Sequence, residues 1–305
     1  MAVRQRGLTP AKALVITIDG PAGVGKSTAA KLLARRLGLT YLDTGATYRA
    51  LAYTALQADL NPVVDAARIA RLGRRLPLSL APDPAGGLRV RLNGTDVTAA
   101  IRTEEVTEAA AQIAQHPDVR AAMVALQRRL AIACSNTTAA RGSGLRARGP
   151  YRLAQRSHRG WPTAPSPQPG ATWGVVVEGR DTGSVVFPRA TAKFFLDADP
   201  TVRARRRQRE LAHLYGSRPP LAQVREQLHF RDGLDKSRRV GPLTKPRGAM
   251  VLDTTHLTAP QVVQAMLRRM AAAEKVPGCS VEQPRFQSKQ CQTRFPLRDD
   301  RSKGV

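Results

Sequence analysis

The sequence predicts an α/β fold in which a five-stranded parallel sheet carries helices on both faces, and three observations carry that prediction. A glycine-rich stretch, Gly20-Pro21-Ala22-Gly23-Val24-Gly25-Lys26-Ser27, follows a short β-branched run and precedes a run of helix formers. Short apolar runs alternate with helical stretches, giving candidate core strands at 14–18, 40–42, 174–177, 193–196 and 250–252. The strand at 174–177 delivers Glu178-Gly179-Arg180-Asp181 at its carboxyl end, the edge at which open parallel sheets place their ligands.

Leu14-Val15-Ile16-Thr17-Ile18 is uninterrupted and rich in β-branched residues, as a strand buried on both faces should be. The glycine stretch fits G-x-x-x-x-G-K-[ST] at every required position, and Thr28 to Leu37 continues as a helix that Gly38 stops. Strand, glycine loop and helix together turn backbone N–H groups and a helix N-terminus toward a polyphosphate, the arrangement of a P-loop NTPase-type fold. Gly20 to Thr28 are therefore the candidate ligands of a nucleoside triphosphate, with Lys26 supplying positive charge and the Ser27 hydroxyl ligating Mg2+.

Thr40-Tyr41-Leu42 reads as a strand that runs into Asp43-Thr44-Gly45-Ala46-Thr47-Tyr48-Arg49, and a helix is expected from Tyr48 to Leu56. An arginine at a helix start, such as Arg49, suits an anion because the helix dipole helps hold it there. Residues 76–98 alternate with period two and are broken by Asp83-Pro84-Ala85-Gly86-Gly87 and Asn93-Gly94, which predicts a small antiparallel insert. Helices follow over Thr103–Gln115 and from Pro117 to Leu130. Residues 131–173 hold five prolines and six arginines with no acid and no sustained periodicity, and are expected to form a flexible basic insertion.

After the strand at 193–196, a helix is expected over Thr201–Leu214 and another over Leu221–Phe230, leading into a basic loop, Arg231-Asp232-Gly233-Leu234-Asp235-Lys236-Ser237-Arg238-Arg239. Met250-Val251-Leu252 is the last strand, and Thr258 caps a final helix lined by Val262, Val263, Met266, Leu267 and Met270. The expected organisation is a core over 13–58 and 174–272 with a lid near 203–241, a region over 59–130 that includes the 76–98 insert, and a disordered tail over 275–305.

Composition narrows the function classes. With 42% hydrophobic residues the 305-residue chain has the material for a folded core. No run of about 18 apolar residues is present, so no transmembrane helix is predicted. The run at 14–18 is too short for the apolar stretch of a secretory signal. Cys134, Cys279 and Cys291 are scattered without metal spacing, which suits a reducing cytoplasm. The net charge of +26 invites a nucleic-acid partner, but half of it lies in residues 1–13, 131–174 and 275–305. Aromatic residues, at 4%, are too few for many base-stacking platforms. The remaining positive charge fits an enzyme that holds two polyanionic nucleotides together.

A glycine loop specifies triphosphate binding but not the acceptor. No guanine-reading N-K-x-D is present, which argues against a switch GTPase. The informative residues are the downstream arginines Arg49, Arg180, Arg231 and Arg238, because phosphoryl transfer between two nucleotides must neutralise phosphates that repel one another. Arginine's planar fork grips phosphate with two hydrogen bonds.

Together these pieces resemble the cytidylate (CMP) kinases of the nucleoside monophosphate kinase group. The matching motifs are I-D-G-P-A-G-V-G-K-S at 18–27, D-T-G-A-T-Y-R at 43–49, I-R-T at 101–103, V-V-E-G-R-D-T-G-S-V-V-F-P at 176–188 and R-D-G-L-D-K-S-R at 231–238. The resemblance spans about 13–130 and 174–272, and the 76–98 insert looks like that family's enlarged monophosphate-binding domain. It implies ATP- and Mg2+-dependent phosphorylation of CMP or dCMP to the diphosphate. Lys26 would hold the ATP phosphates and Ser27 the Mg2+. Arg49, Arg180 and Arg238 would grip the CMP phosphate and the transferring group, with Tyr48 beside the monophosphate. Arg120 and Asp181 would read the cytosine edge, Arg231 and Asp235 would contact the sugar, and the segment at 203–241 would close over ATP. A cytoplasmic monomer without membrane or nucleic-acid partners is the accompanying expectation. Two departures stand out: Ala111 occupies a position where the family commonly has a serine near the cytosine, and residues 131–173 replace a short connection. The rival readings are a kinase for another small acceptor, such as UMP or shikimate, and a nucleic-acid-binding protein that uses the basic segments.

Overall fold

The computed structural model describes residues 14–83, 87–142, 174–216 and 218–273. β1 (Leu14–Asp19) is the middle strand of a parallel sheet in which β2 (Thr40–Asp43) and β6 (Gly174–Gly179) lie on one side and β7 (Ala192–Asp197) and β8 (Met250–Asp253) on the other, in the order β2-β6-β1-β7-β8. β1 pairs with β6 from Leu14↔Gly174 to Asp19↔Gly179 and with β7 from Ile16↔Ala192 to Asp19↔Phe195. The five strands are the five expected from the sequence, each extended by a residue or two at its ends. Terminal carboxylates such as Asp19, Asp43 and Asp253 still pair in the ladder although their side chains leave the apolar pattern.

Side-chain alternation assigns each face of the sheet its own helices. Ile16, Ile18, Val176, Phe194, Leu196 and Leu252 face α1 (Lys26–Leu37) and α8 (Ala259–Ala272), packing on Leu33, Val262, Val263, Met266 and Met270. Val175, Val177 and Leu42 point the other way, onto Ala131 of α5 (Pro117–Gly142). Phe194 is fully enclosed. Its truncation to alanine is expected to cost about 3–5 kcal/mol, the transfer loss plus an unfilled cavity, measurable as a fall in the denaturant midpoint at unchanged slope.

A second core lies around α2 (Thr44–Gln57), α3 (Ala66–Arg74), α4 (Glu104–Ile113) and α5, with Leu51, Ile69, Ile101, Ile113 and Met123 at its centre. The three-stranded antiparallel sheet β3 (Leu78–Pro82), β4 (Leu88–Leu92) and β5 (Thr95–Asp96) adds Leu78 and Val90 to it. Asn93 and Gly94 both take positive φ, 49° and 82°, as the two-residue hairpin turn between β4 and β5 requires. Two further helices, α6 (Pro200–Tyr215) and α7 (Leu221–Lys236), pack on each other through Ala204, Val224 and Leu228 and close on Ala22 of the glycine loop.

Three boundaries differ from the sequence expectation. α2 begins at Thr44 instead of Tyr48, because the Asp43 carboxylate accepts from the Ala46 N–H at 3.0 Å and starts the helix despite Gly45. α5 runs on to Gly142, so the segment expected to be a flexible insertion from 131 opens as helix; alanines at 131, 133, 139 and 140 favour that continuation. Residues 143–173 and the tail from 274 lie outside the described residues. Finally, α7 passes Phe230 and extends to Lys236, so Arg231 and Asp235 sit on a helix and not in a loop. Leu228, Asp232 and Asp235 are buried at helical spacing, which holds the last turns down despite Gly233.

Candidate active site

The chain leaves β1 at Asp19 and turns through the glycine loop into α1. Gly25 is the residue before the helix, at φ 89°, and makes no side-chain cap, so the first N–H groups of α1 are left for a ligand. Lys26 folds back over the loop, its Nζ donating to the Pro21 carbonyl at 2.6 Å. Burial, and then Arg180, holds its amine well below the usual lysine value. The loop is braced from below: the Ala22 N–H donates to Asp232 Oδ1 at 3.1 Å, and Asp232 Oδ2 accepts from Arg203 at 2.5 Å, tying α6 and α7 to it.

All five parallel strands bring a carboxylate to this edge. Glu178, buried at the end of β6, accepts from Ser27 Oγ at 2.9 Å and from the Tyr41 hydroxyl. Burial, and then Asp43, raises its carboxyl above the ordinary range, and burial raises the Tyr41 phenol. Asp43 pairs with Arg49 at 2.8 Å; burial works against its charge, but Arg49 and the Ala46 N–H outweigh it and keep the carboxyl below its usual value. Asp19 holds the turn after β6. Asp197 and Asp253 accept from backbone N–H groups of their own loops, those of Ala198 and Thr255.

Four arginines converge from three elements: Arg49 from α2, Arg180 just past β6, and Arg231 and Arg238 from α7 and the residues just past it. Asp235 takes one on each oxygen, Arg180 Nε at 2.8 Å and Arg238 Nη2. Burial alone would raise Asp235, yet Arg180, Arg238 and Arg231 hold it below the ordinary carboxylate value. Burial, and then Arg180, brings the Arg231 guanidinium down to about 10. Arg231 has no carboxylate within ion-pair distance among the described residues, and Arg49 Nε and Arg238 Nε are buried without a hydrogen-bond partner. Unpaired, buried guanidinium donors beside a cavity suit an anionic ligand.

Asp181 and Arg180 take different partners. Its Oδ2 accepts from Arg120, an α5 side chain that is only 1% exposed and also donates to the carbonyls of Ala114 and Gly241, each at 3.3 Å. The Tyr48 ring lies 5.8 Å from the Arg120 guanidinium, and burial pushes its phenol up to about 12. Gly241 takes φ 61° here, and a Cβ at that position would come within 2.4 Å of both Arg120 and Asp181, so only glycine lets the backbone approach the pair.

One cavity of about 870 Å³ joins these parts. Ala22 to Thr28, Tyr48, Arg49, Arg180, Asp181, Arg231, Asp235 and Arg238 line it, whereas Gly20 and Pro21 shape the loop from outside its wall and Arg120 stands behind Asp181. Ala111 lines it together with Ala110 and Ala114, a wall of small apolar side chains. Several wall residues have no assigned role in the sequence reading: Tyr41, Asp43, Glu178, Arg102 and Lys31. Glu178 carried a signal, being an acid at the carboxyl end of a buried apolar strand, and Arg102 carried one as the middle residue of the I-R-T motif at 101–103; Lys31 carried none that separates it from a solvated cation.

The sequence model of the family described as cytidylate kinase matches residues 16–142 and 168–272. A cytidylate kinase of Solibacter usitatus is 38% identical over 262 residues, covering 85% of this chain and 93% of that protein. The cytidylate kinase of Geobacillus thermodenitrificans is 39% identical over 255 residues, covering 83% and 95%. A bifunctional pantoate ligase/cytidylate kinase of Prochlorococcus marinus is 37% identical over 253 residues, and the chain spans 42% of its length. A gluconokinase structure from Sinorhizobium meliloti aligns over 86% of this chain and 95% of that one at 14% identity, with a TM-score of 0.37. Matched over most of its length by the family model and by relatives above 30% identity, this chain belongs to the cytidylate kinase family.

Proposed function

We propose that the protein transfers the γ-phosphoryl group of ATP to CMP or dCMP, releasing ADP and CDP or dCDP. The observation that carries the reading is the continuity of the cavity, which runs from the glycine loop through the arginines to Asp181 without a wall between them. Two nucleotides end to end need such a space, and the guanidinium groups that line it supply the charge their phosphates require. Lys26 and the α1 N–H groups hold the ATP phosphates. Arg49, Arg180 and Arg238 hold the acceptor phosphate and the moving group, Arg180 and Arg238 being fixed by Asp235 so that little reorganisation is left to the reaction. Arg231 contributes charge nearby and, with Asp235, meets the sugar. Ser27 and, behind it, Glu178 are the groups that would hold Mg2+; an all-oxygen donor set suits this hard cation, which when bound neutralises phosphate charge.

Asp181 Oδ1 makes no hydrogen bond among the described residues while Oδ2 is held by Arg120, which leaves one carboxylate oxygen for the amino group of cytosine. No described helix is long and apolar enough to cross a membrane. The proposed form is a cytoplasmic monomer. An ADP-release assay with CMP, dCMP, UMP, AMP and GMP at saturating ATP tests the assignment: CMP and dCMP are expected to be the best acceptors, and a preference for any of the other three overturns it.

A further inference from the structure

Asp19 belongs by sequence to the glycine loop, which begins at the next residue, but its side chain works elsewhere. On β1 it follows Val15 and Thr17 on the face turned toward α5, away from α1. It is fully buried, and both of its oxygens are spent on the single π-helical turn Thr182–Val186 that follows Asp181. Oδ1 accepts from the Thr182 N–H and the Thr182 hydroxyl, each at 2.8 Å, and Oδ2 accepts from the Gly183 N–H at 2.7 Å. The fit is close: a Cβ on Gly183 would come within 2.8 Å of Thr17 Oγ1 and 3.2 Å of Asp19 Oδ2. From the far side Arg128 of α5 donates to the carbonyls of Val185 and Val186, each at 2.9 Å. The same helix supplies Arg120 to Asp181. The turn is thus gripped at its first N–H groups by β1 and at its last carbonyls by α5, with Asp181 at its head.

We infer that Asp19 is a positioning residue for recognition of the acceptor base: by fixing the 182–186 turn it aims Asp181, and it serves the acceptor end of the cavity instead of the ATP loop to which its sequence position assigns it. The inference rests on the proposed reading of Asp181 as the cytosine contact. A single π-helical turn has no repeating ladder to hold it, so outside anchors decide where its first residue points.

Asp19→Asn preserves shape but places an NH2 group opposite one of the two backbone N–H donors, whichever way the amide is turned. Thr182→Val is the milder variant, removing only the hydroxyl donor. For both, kcat/KM is measured with CMP and with UMP at saturating ATP, together with KM for ATP and amide exchange at Thr182 and Gly183. Asp19→Asn is expected to lower kcat/KM for CMP about tenfold or more, roughly the loss of one or two buried hydrogen bonds. The CMP-to-UMP ratio falls with it, KM for ATP stays within about twofold, and exchange at 182 and 183 quickens while that of the glycine loop does not. Thr182→Val moves the same quantities in the same direction by less, and it carries the test where the asparagine variant does not fold. An unchanged CMP-to-UMP ratio, or a rise in KM for ATP as large as that for CMP, overturns the inference. A wild-type enzyme with no CMP preference instead overturns the proposed function, and amide exchange still reports whether Asp19 holds the turn.

Discussion

Lys26→Ala is expected to lower kcat about a hundred- to thousandfold, the scale seen when one preorganised charge-stabilising group is removed from a transition state, while the fold stays intact. Lys26 is a buried amine near Arg180 that, among the described residues, hydrogen-bonds to the Pro21 carbonyl alone. Burial and the nearby Arg180 disfavour its charge more than Glu178 and Asp235 favour it, which is why its amine sits below the usual lysine value. The linkage has a definite sign: between that depressed value and the ordinary 10.5, the unfolded chain binds a proton that the folded chain does not, so Lys26 makes the ligand-free protein more stable as pH rises through that range. Alanine removes this dependence and the strain of a buried charge, so the variant's thermal midpoint at neutral pH should equal or exceed that of the parent. Single-turnover phosphoryl transfer and a melting curve decide the matter. A variant that turns over normally removes the glycine loop from the chemistry, and one that loses both activity and stability makes Lys26 a structural residue.

The fold was legible because its strands announce themselves. Runs such as Leu14–Ile18 and Val175–Val177 are short, β-branched and buried on both sides, so tertiary context and local preference agree. Helix ends were less legible because side chains distant from the propensity signal decide them. Asp43 starts α2 four residues before the expected position, and burial of Asp232 and Asp235 carries α7 beyond Phe230. The glycine loop and the residues of the downstream motifs could be read directly, since their spacing along the chain is itself the signal. Ion pairs between distant elements have no such spacing. Asp232 with Arg203, Asp235 with Arg180, and Arg120 with Asp181 join residues 29, 55 and 61 positions apart, and only the folded chain shows that each carboxylate already has a partner. That knowledge changes how Asp181 should be tested.

Removing the Asp181 side chain altogether would confuse two effects. Arg120 is 1% exposed and relies on Asp181 for its countercharge, so Asp181→Ala strands a buried cation, at a cost of about 3–5 kcal/mol in stability. Asparagine separates recognition from folding. Arg120, with donors only, needs an acceptor where Oδ2 now lies, so the amide oxygen should take that place and the NH2 group should take the place of the free Oδ1, facing the cavity. The group proposed to accept from the cytosine amino group then becomes one that donates. With CMP, two donors face each other, and kcat/KM is expected to fall about ten- to a hundredfold, the value of a hydrogen bond to a charged acceptor. UMP presents a carbonyl at the same position, so its kcat/KM should hold or rise as the repelling carboxylate becomes a donor. KM for ATP, bound at the other end of the cavity, should be little changed. The measurement is the ratio of kcat/KM for CMP and UMP in parent and variant, with the thermal midpoint recorded for each. A reversed or strongly narrowed ratio assigns Asp181 to the base, whereas equal losses for both nucleotides would mean that it only secures Arg120 and the turn behind it.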